Sequence, residues 1–176
     1  MASSNLRPFP LMKSKILFVC VHNSARSQMA EAFLNHLCPG DYIAESAGLE
    51  PGVLNPLVIE VMNEIGIDIS SKNTQSALDL FKAGRLFNHV ITVCDQASGE
   101  RCPVFPGFTR RHHWSFPDPS TVLGEREERL EQIRNIRDAI RNRVEQWCSE
   151  SCEIAGNKNH PSQPSEAEQD DKKSFQ

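Results

Sequence analysis

The sequence is predicted to fold as an α/β protein, a three-layer α/β/α sandwich around a four-stranded parallel sheet. Short apolar or β-branched runs alternate with segments of helical period along most of the chain. That alternation brings successive strands into a parallel sheet covered on both faces. Two of the runs end in polar loops that begin with cysteines, Cys20 and Cys94. Open parallel sheets present ligands at the carboxyl ends of their strands, so the two thiols are expected on one edge.

Each element has its own signal. Lys15–Cys20 is the first strand, carrying Ile16-Leu17-Phe18-Val19. Gln28–Leu37 is rich in helix formers, places Met29, Phe33, Leu34 and Leu37 on one face, and is stopped by Pro39-Gly40. Tyr42–Ser46 reads as a short second strand, followed by a turn-rich loop from Ala47-Gly48 to Gly52. A helix opens at Asn55 or Pro56 and runs to Ile65, with Gly66 just past its end. Thr74–Phe81 is a further helix, Val90–Val93 the third strand and His112–Ser115 the fourth. Glu125–Trp147 is a long helix with Leu130, Ile133, Ile136, Ile140, Val144 and Trp147 as its stripe; its Arg- and Glu-rich side reads as a solvated face.

The chain has 176 residues, enough for one domain with a real core. Residues 1–13 read as a flexible leader, 14–148 as the domain, and 149–176 as a disordered tail in which polar residues dominate and apolar periodicity stops. The net charge of −4 argues against nucleic-acid binding. No apolar run approaches the roughly 20 residues that cross a bilayer, and residues 1–13 lack a secretory apolar stretch. A cytoplasmic protein is expected. In that compartment its six cysteines are not a structural framework, and Cys38, Cys148 and Cys152 read as incidental.

The segment Cys20-Val21-His22-Asn23-Ser24-Ala25-Arg26-Ser27 lies between a strand and a helix. Five residues between Cys20 and Arg26 let the backbone wrap a tetrahedral oxyanion. N–H groups would point inward, the helix would present its positive end, and Arg26 would clamp two oxygens. The same field favours thiolate over thiol, which makes Cys20 a candidate nucleophile on a phosphate-like ligand.

A second constellation lies downstream. Cys94 ends a strand and Cys102 follows eight residues later on a polar, Gly-containing, flexible stretch. A thiol that forms an adduct with an oxyanion can be reset by a second thiol, and a third can carry the resulting disulfide to the surface. Asp118 stands between Pro117 and Pro119, held in a rigid loop, and is placed to protonate a departing oxygen. Adjacent His112 and His113 point to opposite faces of a strand, which discounts a metal site there.

These residues resemble the low-molecular-weight tyrosine phosphatase superfamily, and within it the thioredoxin-coupled arsenate reductases. The likeness rests on the Cys20–Ser27 loop with Gln28-Met29-Ala30-Glu31, Glu45-Ser46-Ala47-Gly48, Asn55-Pro56, Gly66-Ile67-Asp68-Ile69-Ser70, Thr92-Val93-Cys94-Asp95, Cys102-Pro103 and His113-Trp114-Ser115-Phe116-Pro117-Asp118-Pro119. It runs from about Lys15 to Trp147 and implies a low-molecular-weight phosphatase-like fold. It also implies a mechanism. Arsenate is held by the backbone of Val21, His22, Asn23, Ser24 and Ala25 and by Arg26. Cys20 attacks while Asp118 supplies a proton. Disulfides then form from Cys20 to Cys94 and from Cys94 to Cys102, for thioredoxin to reduce. Asn23 fixes the loop, and Ser27 bonds the nucleophilic sulfur.

Some relatives of this kind bind potassium, and Asn23, Glu31 and Ser46 match that site. The fourth ligand, an Asp, has no clear equivalent, since Gln75 or Ser76 falls there; no cofactor is expected, and potassium stays open as the one alternative. The alternative is a phosphotyrosine phosphatase using Cys20, Arg26 and Asp118 alone. It is disfavoured because Ser120 and Thr121 follow the Asp-Pro pair where phosphatases carry Tyr, and the chain's single Tyr is Tyr42. A non-catalytic oxyanion or redox-sensing module would need neither Asp118 nor two further thiols. Glutaredoxin or a small thiol remains open as reductant in place of thioredoxin.

Overall fold

The computed structural model describes residues 12–94 and 102–156. Four parallel strands form one sheet: β1 (Ser14–Cys20), β2 (Tyr42–Gly48), β3 (His89–Thr92) and β4 (Arg110–His113), in the spatial order β2-β1-β3-β4. The helices are α1 (Arg26–Leu37), α2 (Pro56–Asn63), α3 (Ala77–Lys82) and α4 (Arg126–Gly156), with a 3-10 turn at Pro119–Thr121. The three-layer α/β fold expected from the sequence is present. The chain leaves β1 toward β2 on one side and later returns to β3 on the other. The loop after β1 therefore sits where the strand order reverses.

The period of two along β1 sorts its side chains between two cores. Ile16, Phe18 and Cys20 face a cluster built with Met29, Phe33 and Leu34 of α1, Val58, Val61 and Met62 of α2, and the stripe of α4. Leu17 and Val19 face a smaller cluster with Ala77 and Leu80 of α3, Phe87, Val90, Cys102 and Phe105.

Several boundaries differ from the sequence expectation. Strand β4 begins two residues early, at Arg110, because its register against β3 pairs Arg110 with His89 and His113 with Thr92. As a largely exposed edge strand it carries no apolar alternation that marks its ends. Helix α3 begins at Ala77 rather than Thr74, since the Ser76 side chain accepts from the Asp79 amide as a cap and Gln75 instead bonds Gly48. Helix α4 continues past Ser149 to Gly156, so the first part of the expected tail is helical. The pair Gln146–Glu150, bonded at 2.9 Å, shows polar i,i+4 contacts carrying it on. The remaining tail and residues 1–11 lie outside the described residues.

The reading of Cys38 and Cys148 as incidental is corrected. They form a disulfide, with Cα atoms 6.4 Å apart and 110 residues between them in sequence. It ties the end of α1 to α4, and only the tertiary convergence of these helices brings the two thiols together. Beside it lies an aromatic group in which Trp147 packs on Tyr42, Trp114, His89 and His112. His89 Nδ1 lies 3.0 Å from His112 Nε2. Burial first, then the charges of His112 and Arg110, pushes His89 down to about 4. No helix among the described residues is long and apolar enough to cross a membrane.

Candidate active site

The loop between β1 and α1 is held from outside by its carbonyls. The oxygens of Cys20, Val21, His22 and Ser24 accept from the amides of Leu49, Glu50, Gly52 and Asn55 at 2.8–3.1 Å. In a trans peptide the next residue's N–H points opposite to the carbonyl, so the amides turn inward, as an oxyanion requires. Gly48 makes this packing possible. A Cβ there would stand 2.9 Å from the Asn23 nitrogen, the His22 carbonyl carbon and the Val21 oxygen. Helix α1 has Ala25 as its N-cap residue and no side-chain cap, so its first-turn amides are left for a ligand.

Cys20 is buried at the end of β1. Its sulfur lies 2.9 Å from Ser27 Oγ and accepts from the Asn23 amide at 3.1 Å. Asn23 adopts a left-handed φ of 54°, which Asn tolerates better than most residues. Its side chain donates to Ser27 Oγ and Ser46 Oγ, both at 2.9 Å. Its oxygen accepts from the Gln75 amide at 3.0 Å and Gln28 Nε2 at 3.2 Å. His22 is exposed, and its Nδ1 lies 3.0 Å from the Glu50 carbonyl.

Arg26 joins the loop to the acid. Its guanidinium donates to Asp118 Oδ2 at 2.9 Å and to the Phe116 carbonyl at 3.2 Å. Asp118 also caps the 3-10 turn, its Oδ1 accepting from the Ser120 amide and hydroxyl at 2.9 Å. The Asp-Pro segment, ninety-two residues away in sequence, thus closes over the loop's clamp.

Cys94 lies just past β3, on the same sheet edge as Cys20: β1 and β3 are paired, and the Val93 amide bonds the Val19 carbonyl at 2.8 Å. Both sulfurs are buried thiols packed in the larger cluster. Cys102 departs from expectation. The sequence places it on a flexible loop, yet it is a buried thiol packed in the smaller cluster. Burial first pushes it up to about 11, Arg111 pulls it down, and Cys94 pushes it up again. Residues 95–101, most of the stretch expected to be flexible, lie outside the described residues.

Sequence reasoning quoted Gly48 and Gln28 within motifs without giving either a role, and it missed Lys72. Gly48 ends a strand after Ala47, a place where glycine often marks close backbone approach; that signal was available. Lys72, ion-paired with Glu31, carries no local signal at all. Among the described residues, no group of three or more His, Cys, Asp or Glu converges as metal ligands.

Residues 15–159 match the low molecular weight phosphotyrosine protein phosphatase family, and the chain belongs to that family. The curated proteins similar to it include arsenate reductases. That of Shouchella clausii (strain KSM-K16) is 39% identical over 139 residues, covering 78% of this chain and 96% of that protein. That of Bacillus subtilis (strain 168) is 37% identical, covering 77% of this chain and 96% of that protein. Among solved structures, an arsenate reductase in its oxidized state is 31% identical with a TM-score of 0.64, covering 78% of this chain and 98% of its own. The thioredoxin-dependent arsenate reductase of Corynebacterium glutamicum is 28% identical with a TM-score of 0.62, covering 81% of this chain and 63% of that one.

Proposed function

We propose that the protein reduces arsenate to arsenite through a relay of three thiols, with thioredoxin as the electron donor and the cytoplasm as its compartment. The observation that carries this reading is the placement of Cys94 on the strand end beside Cys20, with Cys102 as a third buried free thiol. A phosphatase needs neither.

Arsenate enters the loop and takes the inward amides and the Arg26 fork. The Cys20 thiolate attacks arsenic, and an arsenic-bound hydroxyl leaves as water with a proton from Asp118. Cys94 then attacks Cys20 Sγ. The sulfur–arsenic bond breaks, its electron pair stays on arsenic, and arsenite departs as the Cys20–Cys94 disulfide forms. Cys102 attacks Cys94 and frees the Cys20 thiolate. The two electrons given to arsenic are restored when a thioredoxin dithiol reduces the Cys94–Cys102 disulfide. Cys102 is buried, and burial pushes it up to about 11, which fits its place as the last thiol in the sequence.

The test is arsenate-dependent NADPH oxidation with thioredoxin and thioredoxin reductase. Sustained turnover is expected, absent in Cys20→Ser and limited to one turnover in Cys102→Ser. Undiminished turnover in Cys94→Ser or Cys102→Ser refutes the relay. Brisk aryl phosphate hydrolysis with no arsenate turnover transfers the assignment to the phosphatase.

A further inference from the structure

A line of polar contacts runs from the surface to the nucleophile. The Lys72 ammonium is ion-paired with Glu31 Oε1. Ser46 Oγ donates to Glu31 Oε2 at 2.5 Å. Asn23 Nδ2 bridges Ser46 Oγ and Ser27 Oγ, and Ser27 Oγ touches Cys20 Sγ. Gln75 locks the line from the side, donating its amide to Asn23 Oδ1 and its side-chain N–H to the Ser46 carbonyl at 2.8 Å.

This arrangement does not fit a potassium ion on Asn23, Glu31 and Ser46. Asn23 turns its nitrogen toward Ser46, and its oxygen already accepts two hydrogen bonds. The Ser46 carbonyl is taken by an N–H of Gln75, and an ammonium stands against Glu31. The Glu31 side chain is only 15% exposed. Left alone, its charge would be poorly solvated and would oppose the thiolate at the other end of the line.

We propose that Lys72 is a positioning residue, a built-in cation that neutralises Glu31 and thereby holds the Ser46–Asn23–Ser27 line that sets Cys20 in the oxyanion loop. It rests on the reading of Cys20 as the nucleophile and deepens it. Lys72 touches neither sulfur nor substrate; it acts through Glu31. Removing the ammonium leaves a carboxylate that a small monovalent cation can approach and a bulky one cannot.

The experiment uses reduced full-length protein and two readouts that do not involve arsenate. These are the thermal midpoint, and the rate of Cys20 alkylation by iodoacetamide assigned by peptide mass. Each is taken in equal concentrations of potassium chloride, ammonium chloride and choline chloride. The wild type is expected to respond alike to all three. Lys72→Met should melt lower and alkylate roughly tenfold more slowly in choline, with part of both losses restored by potassium or ammonium. Lys72→Arg should stay close to the wild type. In Lys72→Met/Glu31→Gln the carboxylate is gone, so alkylation should recover with no dependence on the cation. Wild-type behaviour of Lys72→Met in choline, or a double variant as slow as the single one, overturns the proposal. Failure of the wild type to turn over arsenate would instead refute the reductase reading while leaving these readouts to decide the role of Lys72.

Discussion

The two faces of the sheet are built to different depths. One is covered by α1, α2 and the long α4, with Phe18, Phe33, Met62, Ile91, Ile133 and Ile140 wholly buried between them. The other has the six-residue α3 and a small cluster centred on Phe87 and Phe105, whose rings meet edge to face at 5.4 Å. Around that second cluster, Leu78, Phe81, Leu86, Val104 and Phe108 stand exposed. Cys20 and Cys94 pack in the deep face and Cys102 in the shallow one. The proposed nucleophile, Cys20, is thus embedded in the thick core, and Cys102 sits under the thinner cover.

The largest expected effect separates the faces directly. Phe33→Ala should lower unfolding free energy by about 3–5 kcal/mol. Phe105→Ala should cost less than about 2 kcal/mol globally while speeding alkylation of Cys102, because local opening of the shallow face precedes unfolding. Urea titration of both variants checks this, and equal losses would break the comparison. Next, the disulfide belongs to the deep face. Cys148→Ser, or reductant added to the wild type, should remove about 2–4 kcal/mol, and the variant should no longer respond to reductant.

Smaller still is a pH effect on the deep face. His89 is held neutral in the fold, down at about 4, whereas the unfolded ring takes up a proton near 6.5. The unfolded state therefore binds more protons between those values. Stability is fully present above about pH 6.5 and falls as pH drops toward 4. The half-buried ring is partly screened, so the loss should be about 1–2 kcal/mol. His89→Phe should flatten that part of the stability–pH curve. The smallest effect concerns Phe108, fully exposed on the shallow side. Phe108→Ser should move stability by no more than about 0.5 kcal/mol; a larger loss would mean this face is thicker than described.

Much of this was legible in the chain because it depends on neighbours in sequence. The Ile16–Val19 run, the Cys20–Ser27 loop and the stripe from Leu130 to Trp147 are local patterns, and they mark β1, the candidate oxyanion loop and α4. What escaped is set by distance. Strand β4 is fixed by its register on β3, not by its own polar residues. Lys72 meets Glu31 across forty-one positions. Cys102 looks like a loop residue in sequence and is buried only because Phe87, Phe105 and Val90 close around it. The end of α4 was misjudged because composition reports where burial stops, whereas a helix with polar i,i+4 pairs can continue beyond it.

The bond between Cys38 and Cys148 also gives the molecule a covalent topology. It closes residues 38–148 into a ring that holds β2, α2, α3, β3, β4 and α4 as far as Cys148, while β1, the Cys20–Ser27 loop and α1 enter from outside as a tail. Any single cut within the ring leaves one covalent molecule until reductant is added. A cut within α1 releases Cys20 from the rest. Cys94 and Cys102 are therefore ring members and Cys20 is not, so the proposed Cys20–Cys94 disulfide would turn one ring into two joined rings.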